Sequence, residues 1–482
     1  MRNQIEHIES KTNKLMFLLA LALIVITSIV IARYSVNSLI PGQTPYYHMK
    51  IAKYLNENIL FNHEPVSNQL YIFDSYDYII SLGSKIASLN IVSIALPLII
   101  NILLILFLYL TFNNLFGDEK AVFYGLIALI ISPIYIYTSL VSSSLTYYLL
   151  IIIIIMYLLL HNSTLSYFAA VLSSLIIVFS PNVFIVLSFF AFLVSFYLSR
   201  KTNKTLFLIF FSSVLAVLYQ SAMLVKFGLP QILPYYQQNM LTSFISNLGA
   251  VLGFGIFYTL LAPIGLILTW REKKRHFGFF ITLISLSILS FLYHDIIIFL
   301  NLQICYLAAL AFNKIILMKW KLNLIKNLTI IVIIIGLSFS ILTFTVRIVN
   351  LGPTPEVVKA LTFLQDKSEG KVLSSQNYGL WIQYFAEKGT VIDTNPSYLQ
   401  NNTQLINQSY EAFNSFTLQK TKPILNDLNV SYILITGEMK SGLVWTEPNV
   451  GLLFLLQDNE TFKSIYSTKD VEIWKYLKNT TN

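Results

Sequence analysis

The chain has 482 residues, of which 56% are hydrophobic and only 11% are charged. Soluble globular proteins carry about 25% charged residues, so this composition excludes an ordinary soluble fold and predicts a polytopic protein of the lipid bilayer. The formal net charge is +9, but residues 353–482 hold 11 Lys/Arg against 13 Asp/Glu, whereas residues 1–352 hold 21 against 10. The basic excess therefore belongs to the apolar part, where it sets membrane topology, and we expect no nucleic-acid partner.

Eleven apolar segments are long enough to cross a bilayer core, which needs about 20 residues per helix, or slightly fewer where neighbouring helices shield the ends. They are residues 15–33, 91–114, 121–138, 145–160, 164–180, 182–199, 205–225, 250–270, 277–293, 296–313 and 328–349. Fifteen Lys/Arg flank one set of segment ends, and six flank the other set before residue 353. By the positive-inside rule, the N-terminus of this integral cell-membrane protein is cytoplasmic and residues 351–482, called the tail below, are exterior.

The first exterior loop, residues 34–90, is long and polar although it lies between two apolar segments. Long loops in compact proteins are usually functional. Its pattern favours an amphipathic helix over Tyr46–Leu60. Ionisable side chains are more concentrated in this loop than elsewhere in residues 1–350. They are His48, Lys50, Lys53, Glu57, His63, Glu64, Asp74 and Asp77.

Asp74 and Asp77 are spaced i,i+3, so we expect them to share a helical face at the mouth of the second span, where they would hold a sugar or act as a base. The alternative is that they are solvated residues that begin an interfacial segment, Tyr78–Leu89. His48 is a candidate base or phosphate contact, and its alternative role is packing.

The tail alternates helical and strand-like patterns, which predicts a small exterior α/β domain over residues 351–482 beside a transmembrane domain over residues 1–350. A helix begins at Pro355 after the N-cap Thr354 and extends to about Gln365. The other predicted tail elements are strands Lys371–Ser374, Thr390–Asp393 and Tyr432–Ile435, helices Tyr378–Glu387 and Pro423–Asn429, and a hairpin of Phe462–Tyr466 and Val471–Tyr476.

Two short motifs resemble a known family. Gly42-Gln43-Thr44-Pro45-Tyr46-Tyr47-His48-Met49-Lys50 resembles the Gly-x-Asp-Pro-Tyr-Tyr-His-x-Arg run in the first external loop of oligosaccharyltransferase catalytic subunits, members of the C-type glycosyltransferase (GT-C) superfamily. The second motif, in the tail, is the run Ser375–Phe385 followed by Thr390–Asp393. Its first five residues, Ser375-Gln376-Asn377-Tyr378-Gly379, are similar to the family's Trp-Trp-Asp-Tyr-Gly motif, and the rest is similar to the helix and strand that follow that motif. The resemblance implies transfer of a sugar or glycan from a polyprenyl-phosphate-linked donor to an exterior acceptor, with polypeptide asparagine as one candidate. It also implies acceptor binding by Asn377, Tyr378, Gly379 and Trp381.

The sequence departs from the family where the chemistry is expected. Thr44 stands at the position of an aspartate metal ligand, and the serines of Ser142-Ser143-Ser144 follow the third span where the family has a second acidic pair. Hydroxyls are poor ligands for a hard divalent cation. We therefore predict that the family's usual metal site is absent and that no cofactor is bound, and a divalent metal held by other ligands is the disfavoured alternative. Catalytic acid/base groups would then come from Asp74, Asp77 and His48.

A phosphate donor needs cations at the membrane interface, and Lys50, Lys53 and Arg347 are the candidates. Snorkelling to the interface or docking of the tail is the alternative role for each. The rival to the transferase hypothesis is a non-catalytic GT-C relative that binds lipid-linked glycan or a partner subunit. A transporter or flippase is disfavoured, because the spans contain few charges and no evident repeat pair.

Overall fold

The computed structural model describes residues 2–57, 66, 73–116, 118–161, 163–227, 240–274, 276–394 and 402–478. The end of the predicted helix Tyr46–Leu60, together with His63 and Glu64, lies outside the described residues. Helices dominate as far as residue 349: α1 Arg2–Val36, α2 Thr44–Asn56, α3 Ser75–Ser84, α4 Leu89–Phe116, α5 Glu119–Ile130, α6 Pro133–Leu140, α7 Ser144–Leu160, α8 Thr164–Val178, α9 Val183–Arg200, α10 Asn203–Phe227, α11 Met240–Phe244, α12 Ile256–Trp270, α13 Phe277–Leu292, α14 Ile297–Leu317 and α15 Asn323–Val349.

Every predicted span overlaps a helix or, in one case, two helices, although α12 begins six residues after the start of the predicted span 250–270. Within the described residues, six helices are long and apolar enough to cross a membrane: α1, α4, α9, α10, α14 and α15. Four shorter apolar helices, α7, α8, α12 and α13, occupy the positions of four other predicted spans. The prediction of a multispan helical membrane protein is confirmed.

The predicted span 121–138 is not one straight helix, because α5 and α6 meet at a bend of 57°. Pro133 begins α6, and a proline cannot donate the backbone hydrogen bond that would continue α5. The hydroxyl of Ser132 accepts from the Tyr135 amide at 3.3 Å and so caps the new helix. Asn301 of α14 donates to the same hydroxyl at 2.9 Å, which satisfies a polar group inside the bundle.

The tail forms a four-stranded sheet of order β1-β2-β4-β3, with β1 parallel to β2 and the other pairs antiparallel. The strands are β1 Lys371–Leu373, β2 Val430–Thr436, β3 Phe462–Ser467 and β4 Val471–Tyr476, and the helices are α16 Pro355–Gln365, α17 Gly379–Trp381, α18 Asn402–Asn414, α19 Leu418–Asp427 and α20 Leu452–Leu455. The predicted closing hairpin is confirmed as β3 and β4. The predicted strand Thr390–Asp393 is wrong, since only Thr390 forms a bridge, to Val372 of β1.

The long first loop belongs to two apolar cores at once. Ala52 of α2 packs in the membrane core with Tyr76 and Ile80 of α3. Tyr46 and Met49, on the preceding turns of α2, pack in the tail core. Helix α2 therefore lies between the membrane bundle and the tail, and this position defines the candidate site.

Candidate functional site

The first motif forms a tight turn that leads into α2. Gly42 has φ +88°, a conformation that residues with a side chain rarely adopt. Pro45 occupies the first turn of α2, where its missing N–H has no helical partner to lose. Thr44, which stands where the family has its aspartate, is exposed.

The turn places His48 on the face of α2 that meets α3. Its Nδ1 lies 2.6 Å from Oδ1 of Asp77, and both side chains are buried. Asp77 lies in the first turn of α3, where the helix dipole stabilises a negative charge. The Tyr76 ring packs edge-on against the imidazole, with 4.9 Å between ring centroids.

Asp74 lies beside this pair and is the N-cap of α3. Its Oδ1 accepts from the Tyr76 amide at 2.9 Å and from the Tyr148 hydroxyl at 2.8 Å. Both aspartates are buried, which excludes the alternative that they are solvated residues at the start of an interfacial segment. Tyr148 belongs to α7, so Asp74 ties the first loop to the start of that helix.

The start of α7 contributes hydroxyls where the family has acidic groups. The Tyr76 hydroxyl lies 2.6 Å from Oγ of Ser142, which is fully buried. Ser143 caps α7 by accepting from the Leu145 amide at 3.3 Å. The phenol of Tyr76 therefore occupies the space beside Ser142 and forms a hydrogen bond between two neutral hydroxyls there.

These surroundings change the pKa values of the buried groups. Burial lowers the pKa of His48, but the carboxylates of Asp77 and Asp74 raise it, and the resulting pKa is above the ordinary histidine value. Burial also raises the pKa of Tyr76, and both carboxylates add to that effect. The imidazole is therefore the basic group of the cluster, and the Tyr76 phenol stays neutral.

The opposite face of α2 contacts the second motif. Lys50 donates from Nζ to Gln383 Oε1 at 2.6 Å. The Gln383 amide nitrogen donates to Asp393 Oδ2 at 2.7 Å and to Thr390 Oγ1 at 3.0 Å. Lys50, Gln383 and Asp393 are all buried, so one glutamine connects a buried cation with a buried anion across the interface.

Trp381 extends this interface to the Gly42 turn. Its indole N–H donates to the Gly42 carbonyl at 3.0 Å, and the ring lies against Gly352. Gly379 permits the close approach of the chain, because a Cβ there would be 2.5 Å from Cβ of Asp393. The two motifs that carry the family resemblance therefore contact each other.

The structure brings together some predicted site residues and separates others. His48, Asp74 and Asp77 form one cluster, whereas Lys50 and Lys53 lie on the tail side of α2, and Lys53 pairs with Glu387 at 2.8 Å. Arg347 donates to the backbone carbonyls of Ser246 and Ala250 at 2.6 and 3.0 Å.

The predicted acceptor residues also have defined environments. The buried Tyr378 hydroxyl donates to Glu438 at 2.6 Å, and Asn377 is partly exposed. The sequence assigned no role to Gln383 or Tyr148, and it pointed to Ser142 only as a residue at the position of an acidic group.

Solved structures with this fold are multispan membrane glycosyltransferases of the GT-C class. The oligosaccharyltransferase AglB of Archaeoglobus fulgidus in its apo form is 15% identical, with 96% of this chain and 75% of that chain covered and a TM-score of 0.58. The same enzyme with an inhibitory peptide and a dolichol-phosphate gives a TM-score of 0.58 at 15% identity, with 96% and 74% covered. ArnT of Cupriavidus metallidurans bound to undecaprenyl phosphate is 10% identical, with 97% and 99% covered and a TM-score of 0.54. No protein-family model matches the sequence, and no curated protein matches it.

Proposed function

We propose that this chain is a membrane glycosyltransferase that moves a sugar or glycan from a polyprenyl-phosphate-linked donor to an acceptor on the exterior face. The observation that carries the proposal is the contact between the two motifs, within a fold shared with AglB and ArnT over nearly the whole chain. Solved structures of those two proteins contain dolichol-phosphate and undecaprenyl phosphate, respectively, which supports a lipid-phosphate donor here.

The acid/base groups of the proposal are His48, Asp77 and Asp74. Their burial at the junction of α2, α3 and α7 supports this role, because perturbed and desolvated ionisable groups concentrate at functional sites. Lys53 is the best placed of the predicted phosphate ligands. Its ion pair with Glu387 is about half exposed, so a phosphate can replace Glu387 at small cost. Lys50 is less well placed, because its ammonium group is buried against Gln383.

The proposed reaction is independent of a divalent metal, although the resemblance implies one. Thr44 offers an exposed hydroxyl, and the Ser142 hydroxyl is bonded to Tyr76. Asp77 is paired with His48, and Asp74 accepts two hydrogen bonds. Within the part of the chain that the structure describes, no group of three or more His, Cys, Asp or Glu side chains is placed to hold a metal ion. These side chains do not provide suitable ligands for a hard cation, and we expect a chelator to leave the transfer reaction unchanged.

The test uses the full chain in lipid nanodiscs with a radiolabelled polyprenyl-phosphate-linked sugar. Asp74→Asn keeps the capping oxygen of α3 but removes the charge, and we expect turnover to fall by about 10²–10⁴-fold. Asp118→Asn is the matched control, because Asp118 caps α5 in the same way and accepts from the Ala121 amide at 3.1 Å. A fall of similar size in both variants would assign the effect to helix capping rather than to chemistry.

Two further results would contradict the proposal. Strong inhibition by chelator would show that a metal takes part after all. The second result would be an unmodified protein that binds the donor but does not transfer its sugar, together with a loss of donor binding in Lys53→Ala. This result would favour the hypothesis of a non-catalytic GT-C relative.

The exterior position of the site is also part of the proposal. Ser441 and Lys273 are both exposed, and the predicted topology places them on opposite sides of the membrane. In a Cys305→Ala background, a membrane-impermeant thiol reagent added outside should label Ser441→Cys and should not label Lys273→Cys. The reverse pattern would place the tail in the cytoplasm and remove the basis for an exterior acceptor.

A further inference from the structure

Among the residues that the structure describes, one nitrogen of the His48 ring has a hydrogen-bond partner and the other has none. Nδ1 is held by Asp77, whereas Nε2 is buried and has no hydrogen-bond partner among the described residues. Leaving a buried polar atom without a hydrogen bond costs about 1–3 kcal/mol. Native proteins usually satisfy such an atom, so Nε2 is a position at which a bound group would gain a hydrogen bond.

The charges around the ring restrict what that group is. Asp77 and Asp74 face the imidazole from α3 together with the neutral Tyr76, and Tyr47 of α2 lies edge-on at 5.5 Å between centroids. Two carboxylates beside one imidazole repel an anionic acceptor such as a phosphate. A neutral group that carries a transferable proton fits this site better.

We propose that Nε2 of His48 accepts the proton of an acceptor hydroxyl, so that the acceptor of the proposed transferase is an alcohol rather than an asparagine amide. This inference rests on the proposed function and names its substrate class. The hydroxyl belongs either to a serine or threonine of a polypeptide or to a sugar. An asparagine side chain is a poorer substrate for a single base, because its nitrogen lone pair is delocalised into the carbonyl.

The transfer step balances with the groups at hand. The acceptor oxygen forms a bond to C1 of the donor sugar while its proton moves to Nε2. The bond between C1 and the phosphate oxygen breaks, and its electron pair leaves with the lipid phosphate. Asp77 fixes the proton on Nδ1 before the step and stabilises the imidazolium after it. The imidazolium then gives its proton to water once the product has left.

Burial of Nε2 has two consequences. The acceptor must displace the side chains that cover the nitrogen, so transfer requires a conformational change around α2 and α3. A site closed to water before the acceptor binds also protects the donor from hydrolysis.

The pH dependence follows from the same contacts. The base must be neutral to accept a proton, and the carboxylates hold the pKa of His48 above its ordinary value of about 6.5. Transfer should therefore rise with pH through a pKa above that value. Replacing Asp77 with asparagine removes the nearer anion, so the remaining activity should titrate at lower pH.

The experiment offers the full chain in nanodiscs three acceptors: a serine peptide, the same peptide with asparagine and no hydroxyl residue, and a simple glycoside. Mass spectrometry then locates the transferred sugar. We expect transfer to a hydroxyl acceptor and none to the asparagine peptide, and the glycoside and serine arms separate the two sources of hydroxyl. Transfer to asparagine alone would overturn the inference while leaving the proposed function intact. Absence of both donor binding and transfer would instead defeat the proposed function.

Variants test the base itself. His48→Gln should lower kcat by about 10²–10⁴-fold and abolish the pH dependence, with donor affinity retained. His161→Gln makes the same substitution at an exposed histidine outside the site and should change neither quantity. If His48→Gln destabilises the protein, the shifted pH profile of Asp77→Asn remains decisive. A pH profile unchanged by both variants would show that His48 is not the base.

Discussion

Replacing Trp381 with alanine should loosen both the tail and α2, because this one side chain joins them. The Trp381 ring is buried to 8% exposure, packs in the tail core and donates from its indole nitrogen to the Gly42 carbonyl. Truncating a buried tryptophan to alanine costs about 3–5 kcal/mol. At about 1.4 kcal/mol per factor of ten, local opening should increase roughly 100- to 4,000-fold.

Hydrogen exchange of the full chain in nanodiscs measures this change segment by segment. Amides of α2 and of residues 376–386 should lose protection together. Trp381→Phe keeps most of the ring but leaves the Gly42 carbonyl without its donor, so it should lose about 1–3 kcal/mol. The difference between the two variants separates packing from the hydrogen bond.

Trp445 provides a matched control within the tail. It is also buried, and its indole donates to the Phe413 carbonyl at the same distance of 3.0 Å. Trp445→Ala should therefore loosen the tail while α2 keeps its protection. If Trp381→Ala also left α2 protected, the tail and the first loop would not be held together through this side chain, and our account of the interface would be wrong.

Two smaller changes test the same interface. Gly379→Ala should lower the melting temperature of the full chain, because the new Cβ would be 2.5 Å from Cβ of Asp393 and such overpacking costs about 1–3 kcal/mol. Gly437→Ala is the control: the atom nearest to its new Cβ is 3.7 Å away, so this substitution should change the melting temperature little. Lys53→Ala should cost less than about 1 kcal/mol of stability as a half-exposed ion pair, yet lower donor affinity if Lys53 binds the phosphate. Glu387→Ala breaks the same ion pair while keeping the cation, so donor affinity should persist, and equal losses in the two variants would argue against a phosphate contact.

The membrane bundle is the part of the fold that the sequence predicts best. Hydrophobicity over about 20 residues is a local property, so each apolar segment is recognisable without knowledge of its neighbours. The bend between α5 and α6 has a local signal as well, in Ser132-Pro133. That signal was insufficient to divide the span, because proline is also tolerated inside transmembrane helices, as Pro97 in α4 and Pro263 in α12 illustrate.

The missing strand at Thr390–Asp393 has a physical reason that is not local. Thr390 pairs with Val372, but Asp393 is held by Gln383 and packs closely against Gly379. The chain therefore leaves the edge of β1 after a single bridge. Tertiary contacts of this kind override a β-type composition.

The sequence indicated that two carboxylates of the candidate site are neighbours, but it did not indicate what they contact. The spacing of Asp74 and Asp77 correctly predicts two neighbouring carboxylates, although one caps α3 and the other lies inside it. The partner of Lys50 was not predictable, because Gln383 is 333 residues away in the sequence. A lone lysine beside a membrane gives no indication that its charge is satisfied by a glutamine of the tail.

The position of α2 explains why the cation and the imidazole of one short helix have different roles. Lys50 lies on the face that joins the tail, whereas His48 lies on the face that joins α3 and α7. Helix α2, of 13 residues, is therefore the element that connects the tail to the imidazole that we propose as the base. Under the proposed function, an acceptor that binds at the tail would lie on the opposite side of this helix from the pair of His48 and Asp77.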